Sequence, residues 1–205
     1  MTNKKRIASL IMGATLLFSL PACSSQNPDE SAPETEEVVT EGERVTKVTE
    51  TSVWTADNLN DNERTVLKFL QERGITDKVA LATIMGNIKQ ESRFETRICE
   101  GGARVSYSRC LRGGFGLIQW TTQGRYNGLV RHSRQLGLNP DTLKAQLSWM
   151  VNETEWKKVE HIFKTPGLSR GAYMNAAYRW LGWGVHGSRS HYTSLYIKAF
   201  YKSDK

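Results

Sequence analysis

The segment Leu81 to Phe94, LATIMGNIKQESRF, constrains the fold of this chain most. Leu81, Ile84 and Ile88 recur at helical spacing, and Glu91 falls on the same stripe three residues beyond Ile88. The spacing predicts a helix from a cap at Asp77 to about Phe94. A carboxylate on a buried stripe is expensive to ionise, so its pKa is pushed up. A carboxyl group held protonated near neutral pH suits general acid work. The bland alternative is that Glu91 faces solvent in the last turn, or pairs with Arg93 or Arg97. Periodicity alone leaves both open.

Other segments also read as helices. Asp61 to Arg73 carries Val66, Leu67 and Leu70 on one face and stops at Gly74. Gln123 to Leu136 ends at Gly137, and Asn139-Pro140 reads as a cap followed by proline at the first helical position. The helix that starts there carries Leu143, Leu147, Met150 and Val151 and runs towards Phe163. Ser169 to Trp183 and His191 to Lys202 complete the set. Residues 99–120, with five glycines, predict loops and a small β-hairpin. The fold class is mainly α (α+β).

The first 23 residues stand apart. Lys4, Lys5 and Arg6 precede an apolar run from Ile7 to Leu20, which has the shape of a secretory signal and is too short to span a bilayer comfortably. Leu20-Pro-Ala-Cys23 resembles a lipobox, which implies lipidation of Cys23 as the mature N-terminus and a membrane attachment through that lipid. Ordinary cleavage nearby is the alternative. Ser24 after Cys23 resembles outer-membrane lipoproteins, if the cell has an outer membrane. The chain is therefore expected to be exported and held at the cell envelope.

Residues 24–55 read as an acidic, disordered linker and 56–205 as one domain. Residues 24–50 hold eight acidic and two basic side chains, whereas 51–205 hold 23 basic and 13 acidic ones. A domain of net +10 is drawn to polyanions. Export makes nucleic acid a poor partner and envelope polymers good ones. With lipid on Cys23, Cys99 and Cys110 remain as a pair in an oxidising compartment. Their disulfide would contribute about 2–3 kcal/mol, the alternative being two free thiols.

A second segment bears on Glu91. Gly113-Gly-Phe-Gly-Leu-Ile-Gln-Trp-Thr121 reads as a glycine-flexed strand that ends in Gln119, which can donate and accept, and Trp120, which offers a flat ring. Taken with Met85-Gly-Asn-Ile-Lys-Gln-Glu-Ser-Arg-Phe94, then Gly124-Arg125 and Ala145-Gln-Leu-Ser-Trp149, it resembles the phage tail lysozyme family, related to goose-type lysozymes and lytic transglycosylases. The resemblance covers about residues 62–155 well and the rest loosely.

That resemblance implies a lysozyme-like helical domain with a small β-hairpin bordering a cleft, no cofactor or metal, and peptidoglycan glycan strands as the partner of a monomer. It implies cleavage of the MurNAc–GlcNAc β-1,4 bond, with Glu91 as catalytic acid, Gly116 and Gln119 on the cleft wall and Ser92 holding the helix end or that wall in place; Ser92, Trp120 and Thr121 are counted with them as substrate-binding residues. Related transglycosylases carry an Ala-Tyr-Asn triplet whose Tyr hydrogen-bonds the catalytic Glu; Asn175-Ala-Ala-Tyr178 has those residues in another order, which points to Tyr178 for that role.

Glycosidases usually use two carboxylates. Glu95 would lie beside Glu91 on a continued helix, and Glu100 sits in the Cys-bounded loop. If neither reaches, one Glu serves as acid and then base, which favours the transglycosylase route. The balance tips towards a single Glu. Cysteine peptidase and zinc amidase readings fail for want of a nucleophile helix or an HExxH-like run around His132, His161, His186 and His191. The serious rival is a non-catalytic peptidoglycan-binding lipoprotein on the same scaffold, with Trp180, Trp183 and Tyr126 among its groove aromatics.

Overall fold

A computed structural model describes residues 52–111 and 113–204. The signal segment, Cys23 and most of the proposed linker lie outside them. Among the described residues, the elements run β1 (Val53–Thr55), α1 (Asp61–Glu72), α2 (Lys78–Ser92), a single 3-10 turn (Tyr107–Arg109), α3 (Gln123–Gln135), α4 (Leu143–Asn152), α5 (Thr154–Lys157), α6 (Glu160–Lys164), α7 (Arg170–Leu181), α8 (Arg189–Ala199) and β2 (Tyr201–Ser203). The architecture is mainly α, as the sequence predicts.

Helix α2 is the axle. Asp77 caps it, accepting from the backbone N–H groups of Val79 and Ala80 at 2.8 and 3.0 Å. Every residue from Ala80 to Ile88 is buried, so the helix is wrapped on all sides rather than along one stripe. Helix α8 lies against it at Gly86, where a Cβ would come within 2.5 Å of the Thr193 backbone nitrogen. Helices α1 and α7 also pack on α2. The nearly buried Glu63 of α1 accepts from Lys89 of α2 at 2.6 Å and from the Tyr196 hydroxyl of α8 at 2.5 Å, tying three helices together.

Several elements differ from expectation, each for a local reason. Helix α4 starts at Leu143, capped by Thr142, and not at Pro140, because Asn139 closes a turn in which its side chain accepts from Asp141 N–H at 2.9 Å. It stops at Asn152 because Glu153 turns extended and sends its carboxylate inward. There Glu153 accepts from Arg125 Nε and Nη2 at 2.8 and 2.7 Å, from Trp120 Nε1 at 3.1 Å and from Trp180 Nε1 at 3.0 Å. Four donors offset the desolvation of a buried carboxylate. The stretch 113–121 is a turn, not a strand, since Gly116 and Gln119 both have left-handed φ (73° and 53°). An antiparallel bridge between Phe115 and Trp120 closes it, a second from Phe115 to Cys99 ties it to the disulfide loop, and a third joins Ile98 to Arg104; among the described residues these isolated bridges take the place of the expected hairpin.

The two-stranded sheet lies elsewhere. β1 and β2 pair antiparallel, with Trp54 opposite Lys202. Val53–Thr55, placed in the linker by composition, therefore belongs to the domain's hydrogen-bonded structure.

Candidate active site

Helix α2 delivers Glu91 in its last turn and then ends sharply, with Arg93 and Phe94 both left-handed (φ 53° and 66°). Ser92, buried beside Glu91, donates its hydroxyl to Leu117 O at 2.7 Å and accepts from Phe94 N–H at 3.1 Å. One side chain thus fixes both the helix end and the 116–119 turn. Gln146 of α4 supports the turn from behind. Its Oε1 accepts from Leu117 N–H at 2.8 Å and its amide donates to Thr96 and Pro140 carbonyls. Gly116 is small for this reason, because a Cβ there would meet Gln146 Oε1 at 2.7 Å.

These parts border a cleft of about 460 Å³ lined by Glu91, Glu100, Gln119, Thr121, Trp183 and Arg189, among others. A larger groove of about 840 Å³ runs between β1 and α1, past Trp54 and Leu67. Chemistry, not size, marks the smaller cleft, because it holds Glu91 and Glu100 together.

The Glu91 side chain is only 14% exposed. Burial pushes its pKa above the ordinary value; the Arg189 guanidinium, by charge and by a hydrogen bond, and the Arg125 charge pull the other way without cancelling it. Arg189 Nη2 bonds Glu91 Oε1 directly. The partner is therefore neither Arg93 nor Arg97; Arg97 lies 4.0 Å from Asp141.

Glu100 lies in the loop closed by the Cys99–Cys110 disulfide. Its Oε2 accepts from Gly114 N–H at 3.0 Å and its own N–H donates to Gly114 O at 2.8 Å, so the carboxylate is held against the glycine turn. Gly113 (φ 76°) leaves the room, since a Cβ would overlap Glu100 Oε2. Gln119 points both amide N–H groups at backbone, to Gly116 O at 3.0 Å and Ile98 O at 3.3 Å, leaving its carbonyl oxygen to accept from the cleft. Thr121 donates to Gln119 O at 2.9 Å on the exposed rim.

Three expected site residues stand elsewhere. Trp120 is fully buried with its indole N–H on Glu153, so it offers no face to a ligand. Glu95 follows the end of α2 instead of continuing it, and faces Arg104 at 3.6 Å outside the cleft. Tyr178 is half exposed on α7, because Tyr173, Ala176, Ala177 and Trp180 take that helix's buried face. It sets its edge against Trp183 at 5.2 Å, and the hydrogen bond to Glu91 comes from Arg189 instead.

Arg189 is the site residue that sequence reasoning missed. Its signal was present: Arg189, Thr193, Tyr196 and Phe200 recur at helical spacing and all four are buried. The aromatic ring available to the cleft is Trp183, which the Arg189 guanidinium stacks against at 4.5 Å.

No curated protein matches the chain. The phage tail lysozyme family model matches residues 61–186, from the first helix through the loop before α8. The match takes in Glu91, the glycine turn and Glu100, and the chain belongs to the phage tail lysozyme family.

Proposed function

We propose that this chain cuts the β-1,4 bond between MurNAc and GlcNAc in peptidoglycan, with Glu91 as the general acid. Family membership supports peptidoglycan lysis in general. The observation that carries the finer reading is Glu91 itself: a carboxyl group mostly buried at a helix end, facing a cleft, with its pKa raised by burial. Such a group keeps a proton to higher pH than an exposed carboxylate and can pass it to a glycosidic oxygen. Trp183 and the Gln119 carbonyl are the sugar-facing partners that the cleft offers.

With one Glu the acid becomes the base, and attack by the muramic C6 hydroxyl leaves 1,6-anhydro ends. Glu100 supports a second reading, in which it directs a water and the product is an ordinary reducing end. The observation in its favour is the Gly114 N–H bond that holds its carboxylate at the same cleft. Mass spectrometry of digested peptidoglycan separates the two. Anhydro ends that persist in Glu100→Gln support the single-Glu route; reducing ends lost in that variant support the other.

The decisive test is Glu91→Gln on purified peptidoglycan. Binding without solubilisation supports catalysis. Solubilisation at the wild-type rate refutes it, and a wild-type protein that binds but never solubilises leaves the non-catalytic lipoprotein standing. Export, with lipid on Cys23 holding the domain at the envelope as a monomer, is part of the same proposal. Intact-mass analysis of the membrane-extracted protein reads the lipid directly.

A further inference from the structure

Arg189 sits where three structures meet. Its side chain is 5% exposed. Nη2 reaches Glu91 Oε1 on α2. Nη1 donates to the carbonyls of Val185 and His186 at 2.9 and 2.8 Å, in the loop before its own helix. The guanidinium stacks on the ring of Trp183, in that same loop. A planar fork that donates in its plane and stacks on its face can hold all three at once; an ammonium group cannot.

From this geometry we infer that Arg189 is a positioning residue that couples the Trp183 loop to Glu91, so that the state of the carboxyl group and the placement of the ring change together. The catalytic consequence rests on the reading of Glu91 as the acid; the coupling itself does not. Because Arg189 occupies Oε1, Oε2 is the oxygen left to carry a transferable proton. When the Oε2–H bond breaks and the proton bonds to the glycosidic oxygen, the electron pair stays on the carboxylate, opposite the guanidinium. The anion left behind is thus stabilised by a group already in place. Conversely, a protonated Glu91 holds Arg189 less tightly than the carboxylate does, which loosens the loop that presents Trp183.

Other charged or titratable groups around the pair are Arg125 on α3, Glu100 in the disulfide loop and exposed His186, whose ring lies 6.1 Å from that of Trp183. A test must separate Glu91 from these. NMR titration of the whole domain without substrate does so, reading the Glu91 carboxyl carbon and the Trp183 indole N–H. In the wild type the Trp183 signal should move with the Glu91 midpoint, and in Glu91→Gln that step should vanish while any His186 step remains. In Arg189→Met the Glu91 midpoint should rise by about one unit or more, and the Trp183 signal should no longer follow it. Should that variant not fold, Arg189→Lys carries the test: the charge stays and the Glu91 midpoint moves less, but the Trp183 step is lost. A Trp183 signal indifferent to Glu91 in the wild type, or a Glu91 midpoint unmoved in Arg189→Met, overturns the inference. On peptidoglycan, the fall of kcat/KM with rising pH should shift upward in Arg189→Met by the same amount as the midpoint. An inactive wild type would sink the acid reading and leave the coupling to be judged by NMR alone.

Discussion

The Ser92 hydroxyl donates to Leu117 O at 2.7 Å, across 25 positions of sequence, and is buried where it does so. This bond joins the helix end that carries Glu91 to the turn that forms the opposite cleft wall. Ser92→Ala leaves the Leu117 carbonyl and the Phe94 N–H without that partner. An unsatisfied buried polar group costs about 1–3 kcal/mol, and the substitution should lower stability by that amount in urea unfolding. Activity on peptidoglycan should fall in folded protein too, because the turn and Glu91 lose their common fixture.

Gly86 sets how closely α8 approaches α2. A Cβ there meets the Thr193 backbone nitrogen at 2.5 Å and its Cα at 2.9 Å, so relief requires moving the helix and not merely a rotamer. Gly86→Ala gains about 1 kcal/mol in helix propensity. Overpacking costs about 1–3 kcal/mol or more and acts in the other direction. The expected result is a net loss of stability by urea or thermal unfolding. Since α8 carries Arg189, the displaced helix should also weaken activity beyond what the unfolded fraction explains.

Much of this was legible in the sequence, for reasons that can be named. The N-cap at Asp77, the helix start at Ser169 and the stops before Gly74 and Gly137 are local chemistry, and the helices follow them within a residue or two. The place of Glu91 in α2 was legible because its spacing from Ile88 is local as well. What failed was long-range. Trp120 looked like a platform because nothing in its own segment shows that Glu153, 33 positions on, takes its indole N–H. Glu95 looked like a neighbour of Glu91 because no glycine marks the helix end; Arg93 and Phe94 turn left-handed, with Ser92 holding the Phe94 N–H. Arg189 was missed because its partner is 98 positions away, although its own helix carried the pattern.

The Cys99–Cys110 disulfide closes a short loop of sequence separation 11. By loop-closure entropy it contributes about 2–3 kcal/mol. The same loop is also held by backbone bonds from Glu100 N–H to Gly114 O and from Gly116 N–H to Ile98 O, both at 2.8 Å. Reduction, or Cys99→Ser with Cys110→Ser, should therefore lower the thermal midpoint without unfolding the domain. Circular dichroism before and after reduction checks this; complete loss of helix at room temperature would contradict it.

Glu63 gives the domain a defined acid sensitivity. Burial raises its pKa, but the hydrogen bonds from Lys89, Tyr196 and the Asn60 N–H, with the Lys89 charge, outweigh burial and bring it below the usual 4.5. A carboxylate with a depressed folded pKa stabilises the fold fully above its unfolded value, and that contribution fades as pH falls through the folded one. Stability measured by urea unfolding should thus be level on this account from neutrality down to about pH 5 and decline below it. Glu63→Gln removes the ionisable group and leaves Lys89 and Tyr196 without their anionic partner. Breaking a buried pair from one side costs about 3–5 kcal/mol, so the variant should be less stable at pH 7 by up to that amount. Its deficit should shrink as pH drops, because the wild type loses below pH 4.5 what the variant never had. A deficit that stays constant from pH 7 to pH 3 would show that the charge of Glu63 does not tie α1, α2 and α8 together.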